Sequence, residues 1–409
     1  MSERADTTCC IVGGGPAGMM LGFLLARAGV DVVVMEKHAD FFRDFRGDTI
    51  HPSTLQLMYE LGLLAQFLKL PHHKLHSVGA RVGSEQITVG DFSHLPVQCP
   101  YIAVMPQWDF LNFLAEQGKR YPGFRLMMQT EGTDLIEEGG VVVGVRAKNP
   151  QGEIEVRASL VVACDGRHST MRARTGFVVE NLGAPMDVLW FRLRHDPDDP
   201  EESLGFFGPG SILVTINRGD YWQCAYVIPK GTFDALRRQG LDEFRSRIVH
   251  IQPRFKERIA EIGDWDAVKL LEVRVDRLKR WHKRGLLLIG DAAHAMSPVG
   301  GVGVNLAIQD AVASANTLAA PLLSGTVNEQ LLGKIQRRRE WPVAITQRMQ
   351  IAIQNRVIGQ VLATHGEVKP PAILSLFNTL PILRRIPARI IGMGVLPEHV
   401  HTPAAVLAQ

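Results

Sequence analysis

The chain has 409 residues, 46% of them hydrophobic, and 45 Lys/Arg against 42 Asp/Glu leave a formal net charge of +3. That length and composition predict a globular protein of two or three domains with sizeable cores and exclude a disordered chain. Five cysteines, an odd count with no C-x-x-C pair, argue against a disulfide framework or a zinc site and for small buried hydrophobes in a reducing cytoplasm.

The N-terminal "MSERADTT" has no apolar h-region, and no later apolar run is long enough for a bilayer, so neither a signal peptide nor a membrane span is expected. The first informative stretch is "CCIVGGGPAGMMLGFLLARAGVDVVVMEKH", residues 9–38. An apolar strand, Cys9 to Val12, meets Gly13, Gly15 and Gly18 in G-x-G-x-x-G spacing, with Pro16 and Ala17 between the last two, and a helix follows as far as Gly29. The chain must turn sharply, its backbone must approach a pyrophosphate, and the helix must pack on the strand, and a side chain would obstruct each of these. A second strand, Val32 to Met35, ends at Glu36-Lys37, where a carboxylate is expected to accept from a ribose diol. This predicts dinucleotide binding, with FAD and NAD both open at this point.

Further along, "HHKLH" at 72–76 is the nearest approach to a metal site, and an exposed loop is the simpler reading. Residues 76–98 hold two short strand-like stretches. At 159–170, "SLVVACDGRHST" runs a β-branched strand into Asp165-Gly166. Between 186 and 270, "DVLWFRL", "SILVTIN" and "YWQCAYVIP" alternate as strands of a second sheet, an exposed acidic loop lies at 196–202, and an amphipathic helical pair covers the sheet. Residues 286–310, "LLLIGDAAHAMSPVGGVGVNLAIQD", place Gly290-Asp291 at another strand end. Three strand ends converging on one extended ligand suit FAD: Asp291 would accept from a ribityl hydroxyl, and the turn Gly300 to Gly303 would admit the isoalloxazine ring. The helix after it would direct its N-terminal amides at the flavin. Residues 331–409 hold ten Lys/Arg against three Glu, a basic tail suited to an acidic partner, an anionic lipid surface or a second protomer. No nucleic-acid motif is present.

Gly13-Gly15-Gly18 with Glu36, then Asp165-Gly166, then Gly290-Asp291 with Pro298 and Asn305 resemble the class A flavoprotein monooxygenases, the p-hydroxybenzoate hydroxylase and ubiquinone-biosynthesis hydroxylase family, over roughly residues 8–345. The resemblance implies an α/β plus β architecture. A discontinuous Rossmann-type FAD-binding domain (1–75, 99–185 and 271–345) would carry a β-sheet substrate domain (76–98 and 186–270) and a C-terminal helical segment (346–409). It implies FAD contacts from Arg46 and Gln107, a flavin and NAD(P)H role for Asp165, and Pro298, Gly303, Val304 and Asn305 around the flavin ring. NADPH or NADH would reduce the flavin transiently, O2 would add at C4a, and the hydroperoxide would hydroxylate a phenol-like or heteroaromatic small molecule. Arg192, Trp222 and Tyr226, with Trp190 and Gln223, are candidate pocket residues on two predicted strands, and His294 is a candidate polar group beside the flavin motif. No counterpart of the p-hydroxybenzoate carboxylate site is visible. A reductase of an isoprenoid or other small molecule on the same fold stays open, as does a non-turnover flavin-binding partner protein; the halogenase signature W-x-W-x-I-P is absent. A homodimer or a peripheral membrane contact would use the basic C-terminal region.

Overall fold

The computed structural model describes residues 3–42, 49–83, 85–200, 203–364, 366 and 377–405. Its first sheet has a parallel core in the spatial order Leu286–Leu288, Gly152–Ala163, Glu3–Val12, Val32–Met35, Phe124–Met127. These strands are apolar on both faces because both faces are covered. Cys9, Ile11, Val32, Val34, Leu160 and Val162 point into a layer of helices formed by Pro16–Arg27, Gln107–Gly118 and Gly303–Leu323. The alternate residues Cys10, Val12, Val33, Met35 and Val161 pack the other way, against Trp281, Met171 and Val343. An antiparallel hairpin, Glu131–Glu138 with Val141–Asn149, extends the sheet beside Gly152–Ala163. Its turn is Gly139-Gly140, both at positive φ (57° and 75°), the conformation a tight hairpin demands.

The second sheet has seven strands in the order Lys269–Leu271, Met186–Arg194, Tyr221–Pro229, Ser211–Asn217, Leu204–Gly208, Ser77–Val82, Glu85–Asp91. Strand parity divides its side chains. Leu189, Phe191, Leu193, Trp222, Cys224 and Tyr226 lie under the helices Phe233–Gln239 and Leu241–Ile251. Met186, Val188, Ile212, Ala225 and Val227 face the opposite way, toward Val299, Ile358 and Val361.

The C-terminal third departs in two ways from a separate helical segment over 346–409. Pro342 does not break a helix: Glu329–Ile353 runs through it, so a boundary at 345/346 falls inside one rigid element. A proline ring removes one amide donor, which a helix packed along its length on Leu332, Ile335 and Val343 tolerates. Residues 394–405 are not helical either. After the helix Arg385–Met393, residues 394–405 lie across the first domain as a strap, with the Ala405 amide donating to the Arg27 carbonyl (2.7 Å) and the Val400 amide to Glu60 (2.9 Å). No described helix is long and apolar enough to cross a membrane.

Candidate functional site

The three glycines of the first turn divide the work between packing and access. A Cβ on Gly13 (φ 108°) would sit 2.4 Å from the Cys164 carbonyl oxygen, and one on Gly18 would sit 1.9 Å from the Gly13 carbonyl oxygen. At Gly15 a Cβ would meet nothing within 4 Å, so this backbone faces open space. Gly15 is the N-cap of Pro16–Arg27, and no side chain caps that helix. The first-turn amides, including that of Ala17, are left for an anion, which the helix dipole favours. Glu36, buried at the end of Val32–Met35, braces the turn by accepting from the amides of Gly14 (3.2 Å) and His38 (3.0 Å). Lys37 is exposed beside it, and Gln107 opens its helix in a half-buried position. Arg46 lies outside the described residues.

Asp165 and Asp291 come together through one arginine. Arg167, two residues after Asp165, donates Nη2 to Asp291 Oδ2 at 3.2 Å. Asp165 itself is turned to local structure: it accepts from Ser169 Oγ (2.5 Å) and the Met171 amide (3.0 Å), at the start of the helix Thr170–Thr175. Burial pushes its carboxyl above the ordinary range, against those hydrogen bonds, which favour the ionised form. Gly166 (φ 81°) and Gly290 (φ 60°) make the two turns, and the Gly290 amide donates to Asp310 at 3.0 Å.

The turn after Asp291 carries Pro298, half-buried, then Gly300 and Gly301 at φ 78° and 63°, then Gly303 and Val304 at the head of Gly303–Leu323. Asn305 is 6% exposed; its Oδ1 accepts from Thr54 Oγ1 (2.8 Å) and the His51 amide (3.1 Å), while its buried Nδ2 has no protein partner. A buried amide donor without an acceptor, beside left-handed glycines, is what a ring bearing carbonyl and imine acceptors would satisfy. His51 was not singled out in the sequence. Its ring Nδ1 donates to the Ile391 carbonyl (2.7 Å), tying this corner to the helix Arg385–Met393.

Burial lowers the His51 pKa to about 4, against the carbonyl bond that favours the proton. The fold therefore holds His51 neutral at pH values where the unfolded chain protonates it, so stability is full above about 6.5 and is lost as pH falls toward 4. Between pH 7 and pH 5 this group alone should remove about 2 kcal/mol from the unfolding free energy. Urea unfolding at the two pH values should show that loss in the wild type and not in His51→Gln; equal losses in both would contradict the assignment.

Three expected placements are corrected. Trp222 and Tyr226 lie on the helix-covered face of the second sheet: the Trp222 indole donates to Asp199 (2.8 Å), and Tyr226 packs edge-on against Phe244 at 5.6 Å. Neither reaches the side of the sheet that faces Pro298. His294 is 1% exposed, its Nε2 is 2.6 Å from Asp310, and it stacks on Trp281, so it is a core group and not a pocket group. In "HHKLH", His73–Leu75 forms a short strand, His72 donates to its own turn at the Leu70 carbonyl, and His72 and His76 flank Tyr101. Among the described residues no group of three His, Cys, Asp or Glu is placed to hold a metal. Arg192, in contrast, is exposed on the face shared with Val188 and Trp190, its guanidinium 4.8 Å from the Tyr221 ring, and Gln223 is its cross-strand partner on that face.

Residues 6–348 match the family described as FAD binding domain. The chain belongs to the class A FAD-dependent aromatic monooxygenases. This monooxygenase is 31% identical over 391 residues to the 6-methylpretetramide 4-monooxygenase of Streptomyces rimosus, across 95% of this chain and 93% of the relative. It is 26% identical over 347 residues to the para-nitrophenol 4-monooxygenase of Pseudomonas sp. (strain WBC-3), across 78% and 80%. Among solved structures, the OxyS anhydrotetracycline hydroxylase from Streptomyces rimosus superposes with a TM-score of 0.72 at 23% identity, covering 95% of this chain and 76% of that one. PqsL from Pseudomonas aeruginosa superposes with a TM-score of 0.74 at 22% identity, covering 88% and 98%. These two likenesses show the fold. The monooxygenase uses FAD, and the open Gly15 backbone, the uncapped helix and the unpartnered Asn305 Nδ2 fit that group.

Proposed function

We propose that the protein hydroxylates a fused-ring phenolic compound of the aromatic polyketide type, at the expense of NAD(P)H and O2, in the cytoplasm. The identity to the 6-methylpretetramide 4-monooxygenase along nearly the whole of both chains carries this reading. The half-buried apolar side chains on the inner face of the second sheet, Trp190 and Val214, with Val299 packed against the same cluster, support it, because a large flat ring system is held by apolar area. Bound FAD supplies electron transfer from NAD(P)H and activation of O2. One oxygen atom enters an aromatic C–H bond and the other leaves as water, NAD(P)H giving two electrons.

The chain's own residues do the rest. Gly13, Gly15, Pro16, Ala17, Gly18, Glu36 and Lys37, with Arg46 and Gln107, would hold the adenosine diphosphate half. Asp165, Gly166, Gly290 and Asp291 would hold the ribityl half, and Pro298, Gly303, Val304 and Asn305 would border the ring. The apolar sheet excludes water, and Arg192 orients an anionic or carbonyl oxygen of the substrate. The sheet strands 76–98 and 186–270 would form the substrate domain, and the exposed Ile382 and Ile386 beside Arg385 and Arg389 would serve a homodimer or a peripheral membrane contact.

The test is NAD(P)H oxidation with a panel of phenols. 6-Methylpretetramide should raise the rate at least about tenfold over the substrate-free rate and p-nitrophenol should not; the opposite ranking would overturn the substrate class. Within the same assay Arg192→Ala should raise KM about tenfold with kcat nearly unchanged, whereas Tyr226→Phe should leave kcat/KM within about twofold. Equal effects of the two variants would contradict the division of the sheet faces.

A further inference from the structure

Residues 294–297, which lead into Pro298, belong to no strand or helix, and Pro298 has no amide to donate, so no regular ladder holds this backbone. Asp276 holds Ala295, donating its amide to the Ala295 carbonyl and accepting the Ala295 amide on Oδ1 (both 3.3 Å), and from there to Val299 the long helix does the holding. Three buried glutamines on one face of that helix, Gln347, Gln350 and Gln354, reach toward it. Gln350 Oε1 accepts from the Ser297 amide (3.2 Å), and its Nε2 donates to the carbonyls of Ser297 (3.0 Å) and Val299 (2.8 Å), so one side chain grips the chain on both sides of Pro298. Gln354 Nε2 donates to Ser297 Oγ (2.5 Å), which in turn accepts from the Val299 amide (3.2 Å). Gln347 Nε2 donates to the carbonyls of Ala295 (3.2 Å) and Asp276 (2.8 Å).

The same helix then widens into a π-turn, Gln354–Ile358, and sets Ile358 and Val361 against Val188, Ile212 and Val227 on the inner face of the second sheet. One element therefore touches both the substrate-facing sheet and the turn that borders the flavin. Such single π-turns interrupt the regular ladder and recur at functional sites.

We propose that Gln350 is a positioning residue for oxygen transfer: with Gln347 and Gln354 it fixes the Pro298–Val299 turn, so that the oxygen activated at the expense of NAD(P)H is delivered to the substrate ring and is not lost as hydrogen peroxide. This rests on the proposed place of Pro298 beside the flavin. The lost path balances as O2, NAD(P)H and one proton giving hydrogen peroxide and NAD(P)+.

The test uses the full-length FAD-loaded protein without substrate. Q350L keeps the side chain's bulk and removes all three polar contacts. Its FAD affinity should stay within about threefold of wild type, while amide exchange across residues 295–301 should accelerate at least about tenfold. The visible circular dichroism of bound FAD should change, and the NAD(P)H-reduced protein mixed with O2 should release hydrogen peroxide at least about twofold faster. Arg348→Ala, on the exposed side of the same helix, should change none of these. A folded, FAD-loaded Q350L with wild-type exchange and wild-type flavin dichroism would overturn the proposal. Should Q350L fail to fold, S297A, which removes only the Oγ links to Gln354 and Val299, decides by the same readouts. Because no substrate is present, a wrong substrate class would leave these results unchanged.

Discussion

Gly18→Ala should yield no FAD-loaded protein, whereas Gly15→Ala should yield a stable apoprotein that has lost FAD. The two glycines lie three residues apart in one motif, yet their surroundings are opposite. A Cβ at Gly18 would be 1.9 Å from the Gly13 carbonyl oxygen and 3.2 Å from Ile11 Cγ2. Gly13 cannot retreat, because its amide donates to Met35 (2.8 Å) and its own Cα lies against the Cys164 carbonyl. The helix Pro16–Arg27 would have to lift from the sheet, exposing part of the core formed by Met19, Met20, Phe23 and Leu24. That places the cost above about 4 kcal/mol, a large share of the stability of an ordinary domain. At Gly15 φ is −72° and the added methyl meets no protein atom, so the apoprotein should melt within about 2 °C of wild type. The methyl would occupy the space a pyrophosphate needs, and the FAD dissociation constant should rise at least about 100-fold. Thermal unfolding of the apoproteins and FAD titration check both; a Gly15→Ala variant with wild-type FAD affinity would contradict the placement.

Asp310→Asn should be among the most destabilising isosteric changes in the chain. Asp310 is fully buried, with Gly290 and His294 on Oδ2 and Arg339 Nε on Oδ1 at 2.9 Å. Arg339, 1% exposed, also donates to the Leu396 carbonyl (3.2 Å) and to Glu398 (3.4 Å), and Arg338 grips Glu398 through bonds of 2.7 to 2.9 Å. A chain of charges thus runs from the Asp291 turn to the C-terminal strap. Removing one member leaves a buried guanidinium short of its counter-charge, at about 3–5 kcal/mol. Burial alone would push the Asp310 carboxyl up, but His294 and Arg339 hold it below the ordinary range. The stability it contributes is therefore full above the unfolded carboxylate's pKa, about 3.9, and is lost as pH falls below it. Urea unfolding at pH 7 should show the full loss in Asp310→Asn; a midpoint within about 0.3 M of wild type would contradict the network.

What could be read from the sequence follows from where a single residue type is forced. Gly13, Gly18 and Gly290 were legible because backbone contact or positive φ excludes a side chain, and Gly15 because its place in the motif reserves open space for a pyrophosphate. The face of each residue on the second sheet was not. Alternation separates Trp190 and Arg192 from Phe191 and Leu193, but which set meets the helices depends on packing far away in the chain. Trp222 and Tyr226 therefore read as pocket residues and are core. The buried network was hidden for a similar reason: Asp310, Arg339 and Glu398 are distant in sequence. Its one local signal was a lone carboxylate in the apolar helix "VNLAIQDAVASANTLA", which a buried position makes costly without a partner. The hairpin at Gly139-Gly140 carried a turn signal that was passed over, and Pro342 carried a stop signal that packing overrode.

Monooxygenation inserts one atom of molecular oxygen into an aromatic ring. Its most direct test is turnover of 6-methylpretetramide by the FAD-loaded protein under 18O2, with NADPH and with NADH, followed by mass spectrometry of the product. The product should carry one 18O per molecule, with close to one product formed per NAD(P)H consumed. NAD(P)H oxidation that leaves every aromatic compound in the panel without 18O, or a reduced product carrying no new oxygen, would contradict it.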